Sequence, residues 1–216
     1  MATASTEFLR QHYPGLVLGP GLFHSWPIAL RFDLQSESST SDDAYFAEVL
    51  RRAAVVFEAV FAPTDEVLVV VQRPRHERWF RRWRFRANHL VLRLLKSSKQ
   101  EAAFQRLANR TRFADTRQLI RFTVPRRITT IPHRQILQAI SHQDFPSRTP
   151  QLHDDVFFLN LRSKLILHMY DDRGLDLISP DVETLRPFHA DLNHLLLDYD
   201  REQMTATFAL TTSAKP

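Results

Sequence analysis

Apolar residues recur every three or four positions between residues 44 and 61, and this spacing predicts an amphipathic helix packed against a core. The stripe is formed by Phe46, Val49, Leu50, Ala53, Val56, Phe57 and Val60. Ser41 or Asp42 stands just before it, and either side chain can accept a hydrogen bond from the first helical turn. A shorter helix is predicted for 133–140, with Pro132 at its first position.

A second apolar stripe runs from Val182 to Tyr199 near the C-terminus. Pro187 lies inside this stripe, and a proline in a helix interior costs about 3 kcal/mol. We therefore expect a short first turn and a separate helix that begins near Pro187. Residues 99–109 also show helical spacing and are predicted as a helix.

Strand patterns occur in six segments. Residues 28–34 alternate apolar and polar side chains, and residues 66–72 form a continuous β-branched run that is typical of a central strand buried on both faces. The predicted strands are 28–34, 66–72, 118–124, 155–161, 164–170 and 175–178. The pattern as a whole predicts a single α+β domain over residues 1–216, with a mixed or mainly antiparallel sheet, helices packed against it and a soft division near 112–117.

The composition of the 216 residues is that of a globular protein, because 44% are apolar and sixteen are phenylalanine. The chain has no cysteine, which excludes disulfides, thiol nucleophiles and cysteine-based metal sites. Residues 1–11 lack the pattern of a secretory signal, and the longest apolar runs are too short to span a bilayer. We therefore expect a cytoplasmic protein with no membrane span; the sequence leaves its oligomeric state open.

Charge is divided unevenly along the chain. Residues 72–134 contain eighteen Lys or Arg against three acids, Glu77, Glu101 and Asp115, so this region carries about +15 while the whole chain carries +5. The remaining residues therefore sum to about −10. Such a chain is expected to offer a basic surface either to an acidic partner or to its own flanks.

The densest part of this basic region is the Arg/aromatic segment, residues 73–86. Its candidate binding residues are Arg75, Arg78, Trp79, Arg81, Arg82, Trp83, Arg84 and Arg86. Guanidinium groups and aromatic rings suit an acidic protein surface, and they also suit phosphates and bases. A third interpretation is structural: the aromatic residues belong to a core and the arginines form a solvated or internally paired surface.

An acidic turn is the second candidate site. Asp171, Asp172 and Asp176 offer three carboxylates near Arg173 and Gly174, and the glycine is able to take a positive φ. Oxygen ligands of this kind suit Mg²⁺ or Ca²⁺, and a buried carboxylate suits acid–base work. The alternative is structural, with the aspartates bonded to turn amides and Arg173 paired with a neighbouring acid.

Catalytic and cofactor motifs are otherwise missing from the sequence. It contains no Gly-x-Ser-x-Gly elbow, Walker loop, dinucleotide-binding glycine pattern or His-Glu-x-x-His metal motif. His189 and His194 are spaced about 140° apart on a helix, which is a poor arrangement for one ion. We therefore assign no catalytic residue, no metal site and no cofactor.

Several short segments carry a family resemblance. Residues 168–176 (His-Met-Tyr-Asp-Asp-Arg-Gly-Leu-Asp), 184–187 (Thr-Leu-Arg-Pro) and 197–201 (Leu-Asp-Tyr-Asp-Arg) resemble the C-terminal signature of a bacterial family named domain of unknown function 3885. Further similar segments are 22–27, 30–32, 136–137, 143–146 and 157–160. The resemblance touches most of the chain and is most specific over 131–201, although Leu195-Leu196 departs from the aromatic expected there. It implies a bacterial α+β protein and carries no catalytic residue.

These observations favour a non-enzymatic, cytosolic bacterial protein-binding module with an acidic protein partner. By analogy with small α+β antitoxins, its specific form is an immunity-type protein that neutralises a toxin. The first alternative is a nucleic-acid-binding protein that uses residues 73–86. The second is a carboxylate-based hydrolase centred on Asp171, Asp172 and Asp176.

Overall fold

The computed structural model describes residues 3–35, 39–74, 89–97, 101–108 and 118–212. Within these residues the centre of the protein is one antiparallel sheet of seven strands, in the order β1-β7-β6-β5-β2-β4-β3. The strands are β1 (Ala29–Asp33), β2 (Glu66–Pro74), β3 (Ala103–Ala108), β4 (Gln118–Arg127), β5 (Asp155–Asn160), β6 (Ile166–Met169) and β7 (Gly174–Ile178). The predicted α+β class is confirmed, and every strand pair is antiparallel.

Helices cover both faces of the sheet. They are α1 (Ala4–His12), α2 (Leu22–Ser25), α3 (Asp42–Val60), α4 (Leu90–Leu94), α5 (His133–Ser141), α6 (Val182–Asp191) and α7 (Arg201–Thr212). On one face, Phe57 of α3 meets Phe158 of β5 edge-on at 5.0 Å and stacks on His133 of α5 at 4.5 Å. On the other face, Ser5 of α1 bonds to Thr123 of β4 with 2.7 Å between hydroxyl oxygens. The core therefore has two layers, one on each face of the sheet.

The strongest patterns are confirmed. The α3 helix begins at Asp42, and the Ser41 hydroxyl caps it by accepting a hydrogen bond from the Ala44 amide at 3.2 Å. Strand β2 lies between β5 and β4, and its residues 67–71 are at most 2% exposed. Burial on both faces is what its continuous apolar run predicts.

Two helix predictions are wrong. Residues 103–108 form the edge strand β3 instead of the helix predicted for 99–109, because pairing with β4 outweighs a local spacing that both structures permit. The α6 helix runs continuously through Pro187 instead of restarting there. Its start is fixed one turn earlier by Asp181, whose side chain accepts a hydrogen bond from the Thr184 amide at 2.9 Å.

Gly174 does not take a positive φ, although a glycine is able to. It is needed for another reason: a Cβ at this position would collide with the Tyr170 hydroxyl and would lie 2.9 Å from the Phe32 carbonyl oxygen. The close approach of β1 and the segment after β6 therefore requires a residue without a side chain.

The predicted division at 112–117 lies outside the described residues, and strands on both sides of it pair in the same sheet. Among the described residues, none of the helices has the length and apolar character needed to cross a bilayer.

Candidate functional site: a polar cleft at one end of the sheet

Polar side chains gather at one end of the sheet, on the face that carries α1 and α2. Residues paired directly across antiparallel strands point to the same face. One cross-strand row joins Arg31, Asp176 and His168. The next row towards that end contains Asp155, which is paired with Gln72. The register thus places charged groups side by side in strands that are otherwise apolar.

A cleft of about 710 Å³ opens beside these rows. Its charged lining residues are Arg31, Asp33, Asp144, Asp155, Asp171 and Arg173. Tyr170, Leu197 and Pro20 add apolar surface to the same walls. The volume is that of a typical small-molecule site, and the lining carries four acids against two cations.

Arg31 is held in place by two carboxylates behind the cleft. Its Nε donates to Asp176 Oδ1 at 2.9 Å, and its Nη1 donates to Asp200 Oδ2 at 3.3 Å. Asp176 is fully buried and also accepts the Phe23 amide at 3.1 Å. Burial alone would lower the pKa of Arg31, but its bond to Asp176 raises it. The Asp176 carboxylate is therefore paired with the Arg31 guanidinium.

The acidic turn is largely occupied by its own contacts. Asp171 Oδ1 accepts the Arg173 amide at 2.7 Å and its Oδ2 accepts Arg173 Nε at 2.8 Å. Asp172 accepts the Tyr45 hydroxyl at 2.5 Å, and burial together with this bond raises the pKa of Tyr45 to about 12. These contacts match the structural interpretation for Asp171 and Arg173, whereas Asp172 bonds a side chain instead of a turn amide.

The three carboxylates of the hydrolase hypothesis do not converge. Among the described residues, Asp171 and Asp172 come together with Asp144, and the oxygens of these three lie within 4.8 Å of one another. Asp176 belongs to the Arg31 network instead. The geometry therefore gives no particular support to a catalytic centre made of Asp171, Asp172 and Asp176.

Asp155 lines the cleft, and His168 lies buried beside it. His168 is fully buried, stacks on Phe157 with ring centroids 4.3 Å apart, and has no hydrogen bond from either ring nitrogen to the described residues. Its Nε2 lies 3.8 Å from Asp155 Oδ1, which is beyond hydrogen-bond distance. Burial lowers the pKa of His168 to about 3, so the ring is neutral.

The Asp155 carboxylate is held in an unfavourable environment. Its side chain is 29% exposed, and no described residue donates a hydrogen bond to it. Burial, reinforced by the neighbouring charge of Asp154, raises the pKa of Asp155 to about 6. A strongly shifted acid in a cleft is a candidate functional group on physical grounds.

Asp154 fastens the base of the Arg/aromatic segment to the same end of the sheet. The Arg73 guanidinium binds both of its oxygens, with Nη2 2.7 Å from Oδ2, and His89 Nε2 lies 2.5 Å from Oδ2. Burial opposes ionisation of Asp154, but the bonds from His89 and Arg73 keep its pKa below the usual range. Arg73 and His89, which stand on either side of residues 75–88, therefore meet at one buried carboxylate.

The predicted binding residues lie outside the described residues, so their placement stays a prediction. They are Arg75, Arg78, Trp79, Arg81, Arg82, Trp83, Arg84 and Arg86. Residues 108 and 118, which flank the other undescribed stretch of the basic region, also lie at this end of the sheet. Ala108 pairs with Gln118, and Leu119 pairs with Pro74. Both basic stretches thus connect to the end that holds the cleft.

Elsewhere in the basic region, several arginines are paired within the protein. Arg126 contacts Glu101 and Arg134 contacts Glu58, each at 2.8 Å. Arg121 is buried against the Gln72 side chain, and this burial lowers its pKa to about 10. Glu101 lies inside the basic region, whereas Glu58 lies outside it, as does Asp154, which pairs with Arg73. The flanks therefore neutralise part of the +15.

Sequence reasoning missed Asp155, His168 and Arg31 as members of one site. The available signal was a charged or polar residue inside an apolar strand, such as His168 within 165–170. That signal says nothing about which strands are neighbours, and the grouping depends on the strand order.

Comparison with known proteins places this chain in a sequence family. The sequence model of "Domain of unknown function (DUF3885)" matches residues 5–200, and the chain therefore belongs to this family, as its sequence motifs indicated. A similar relative is "Uncharacterized protein YnaE" of Bacillus subtilis (strain 168), which is 22% identical over 213 residues, covering 89% of this chain and 96% of the relative. No solved structure matches.

Proposed function

We propose that this protein is a protein-binding module that docks an acidic partner through the Arg/aromatic segment. The carrying observation is the distribution of charge. Residues 75–86 contain six arginines and one glutamate, a net +5, and the whole chain also carries +5. This stretch of twelve residues therefore carries one third of the +15 of residues 72–134.

The anchoring of the segment supports this proposal. Arg73, the first residue of the segment, and His89, three residues beyond its end, share Asp154, which is 3% exposed, so the chain on both sides of the segment is attached at one point next to β5. A fixed base limits the entropy lost when a segment is immobilised by a partner. Tryptophan and arginine are the residue types most often found at the energetic centre of protein interfaces.

In its most specific form, the proposal is an immunity-type protein that neutralises a toxin in the bacterial cytoplasm. Its support is the analogy with small α+β antitoxins, together with the lack of a catalytic motif in the sequence. A partner of this class would present an acidic surface to the arginines, and complementary charge would speed its capture.

Charge reversal of the segment tests the proposal. The triple variant Arg81→Glu, Arg82→Glu and Arg84→Glu should lose partner capture in a pull-down from the native host while keeping the wild-type circular dichroism spectrum. A matched control reverses three exposed arginines elsewhere, Arg10, Arg51 and Arg186, which are 73%, 58% and 40% exposed. Equal capture by the triple variant and the wild type would reject the segment as the docking surface.

Nucleic acid is the second candidate partner, and it is favoured by the alternation of arginine with tryptophan and phenylalanine in residues 78–86. Its signature is a linear fall of log affinity with log salt concentration, with a slope of about −0.7 for each phosphate contacted on a single strand. Fluorescence polarisation with a labelled single strand between 50 and 200 mM salt measures this slope. A flat response, or the lack of binding at low salt, would exclude this candidate.

A further inference from the structure

A second cavity, of about 410 Å³, opens at the base of the Arg/aromatic segment. It lies between α4, the end of β2 and the loop that leads into β5. Its lining contains two arginines, two histidines and, among the described residues, no acid: Arg73, His89, Leu90, Arg93, Pro150, Gln151, Leu152 and His153. A concave space surrounded by cationic side chains concentrates anions.

Asp154 orients two of the lining side chains from outside the cavity. It is 3% exposed, and the Arg73 guanidinium binds both of its oxygens, with Nη2 2.7 Å from Oδ2. His89 Nδ1 accepts a hydrogen bond from the Val91 amide at 3.2 Å, so the proton of this ring lies on Nε2, 2.5 Å from the same Oδ2. Side chains that are fixed before a ligand arrives lose little entropy when it binds.

The loop on the opposite wall is also fixed by hydrogen bonds. The Leu152 amide donates to the Ala139 carbonyl oxygen at 2.8 Å, and Gln151 Nε2 donates to the Phe145 carbonyl oxygen at 2.5 Å. The cavity is therefore formed in the unbound protein, which is typical of ligand sites of this size.

The positive charge of the cavity is only partly compensated. Arg73 is paired with Asp154, whereas Arg93 and His153 are exposed and form no side-chain hydrogen bond or ion pair with any described residue. One guanidinium charge thus faces the cavity without a counter-ion. A guanidinium group binds a carboxylate through short, charge-assisted hydrogen bonds.

The remaining walls favour a carboxylate that is attached to methylene groups. Leu90, Pro150 and Leu152 give the cavity an apolar side opposite its charged groups. A phosphate monoester carries a charge of about −2 near neutral pH, which exceeds the single uncompensated charge of Arg93. A glutamate side chain matches both the charge and the apolar wall.

We propose that this cavity receives a glutamate side chain of the acidic partner, with Arg93 as its main cationic contact. The inference rests on the proposed function, because Arg73 is both the first residue of the Arg/aromatic segment and a wall of the cavity. A partner that docks on the segment would therefore lie next to the cavity, and the cavity would select among acidic surfaces for one with a protruding glutamate.

Titration with N-acetylated, C-amidated tetraglutamate, followed by NMR of backbone amides, tests the cavity directly. At pH 7.5 and low salt, the amides of residues 90–93 and 151–153 should shift saturably. Arg93→Gln should weaken the binding that these shifts report about tenfold, which is the effect of losing one charge-assisted hydrogen bond. The matched control is Arg10→Gln on α1, whose side chain is 73% exposed and which should leave the binding unchanged. Unsaturable shifts, or equal weakening by both variants, would overturn the proposal.

Small anions identify the chemistry that the cavity recognises. Glutarate, which combines carboxylates with methylene groups, should shift the same amides, and inorganic phosphate should do so only at a higher concentration when ionic strength is kept constant. Phosphate that acts at an equal or lower concentration than glutarate would overturn the assignment in favour of a phosphate ligand.

Capture from the native host's lysate separates a failure of this inference from a failure of the proposed function. Capture that is lost on reversal of Arg81, Arg82 and Arg84, with wild-type capture and peptide binding by Arg93→Gln, would overturn the cavity and leave the docking segment in place. Peptide binding that depends on Arg93, with capture unaffected by the triple reversal, would reject the segment and leave the cavity as a carboxylate site.

Discussion

Removing the charge of Asp155 should stabilise the protein, although the residue lies in the candidate site. Its carboxylate is mostly buried, lacks a hydrogen bond from any described residue and stands beside the charge of Asp154. Asp155→Asn keeps nearly the same shape and removes the charge. A side chain that opposes folding is expected to be retained because it serves a function.

The magnitude follows from the pKa. Burial raises the pKa of Asp155 from the ordinary 3.8 to about 6, and each pKa unit corresponds to about 1.4 kcal/mol. The Asp155 carboxyl group holds its proton more tightly in the folded state than in the unfolded state, so the free energy of unfolding decreases as the pH rises from about 4 to about 6. Above pH 6 this loss amounts to about 3 kcal/mol, and near pH 4 it falls below about 1 kcal/mol.

Urea denaturation at two pH values measures this effect. Asp155→Asn should exceed the wild type in free energy of unfolding by up to about 3 kcal/mol at pH 7.5, with little difference at pH 4. Asp191→Asn, which removes an exposed charge, should change stability by less than about 0.5 kcal/mol at either pH. Destabilisation by Asp155→Asn at pH 7.5, or the same gain at both pH values, would refute the reasoning.

Three further predictions concern stability and can be checked by the same denaturation assay. Arg31→Gln should cost about 3 kcal/mol because it leaves the buried Asp176 without its cation; a loss below about 1 kcal/mol would contradict the network. Gly174→Ala should lower the free energy of unfolding by about 2 kcal/mol, because the added methyl group collides with Tyr170. Combining it with Tyr170→Phe should restore part of this loss, and additive losses in the double variant would contradict the steric cause. Asp154→Asn should lower the free energy of unfolding by about 3 kcal/mol at pH 7. Because the folded-state pKa of Asp154 is lowered, the difference between variant and wild type should shrink as the pH falls below about 4. A difference that stays constant with pH would contradict the charge pairing.

Much of the fold could be predicted because local pattern and tertiary environment agree. The apolar stripe of α3 predicts a helix and the β-branched run of β2 predicts a buried strand, and the two segments take these structures. Residues 103–108 show where local pattern fails, since only the pairing with β4 makes them a strand. Pro187 shows the same limit, because its local cost does not end α6.

The candidate site could be predicted only in part. Asp171 and Arg173 were visible because they are close in sequence and share one turn. Asp155 and His168 are thirteen residues apart on neighbouring strands, and Arg31 joins them through β7, so their grouping depends on a strand order that periodicity does not contain. The raised pKa of Asp155 likewise arises from burial, which follows from packing and not from residue type.

The most direct test of the binding-module proposal is affinity capture from the native host's lysate, with nuclease-treated and untreated samples compared by mass spectrometry. The proposal predicts one acidic protein recovered in stoichiometric amount from both samples, and lost when Arg81, Arg82 and Arg84 are reversed to glutamate. Recovery that disappears with nuclease would contradict it and assign the segment to nucleic acid.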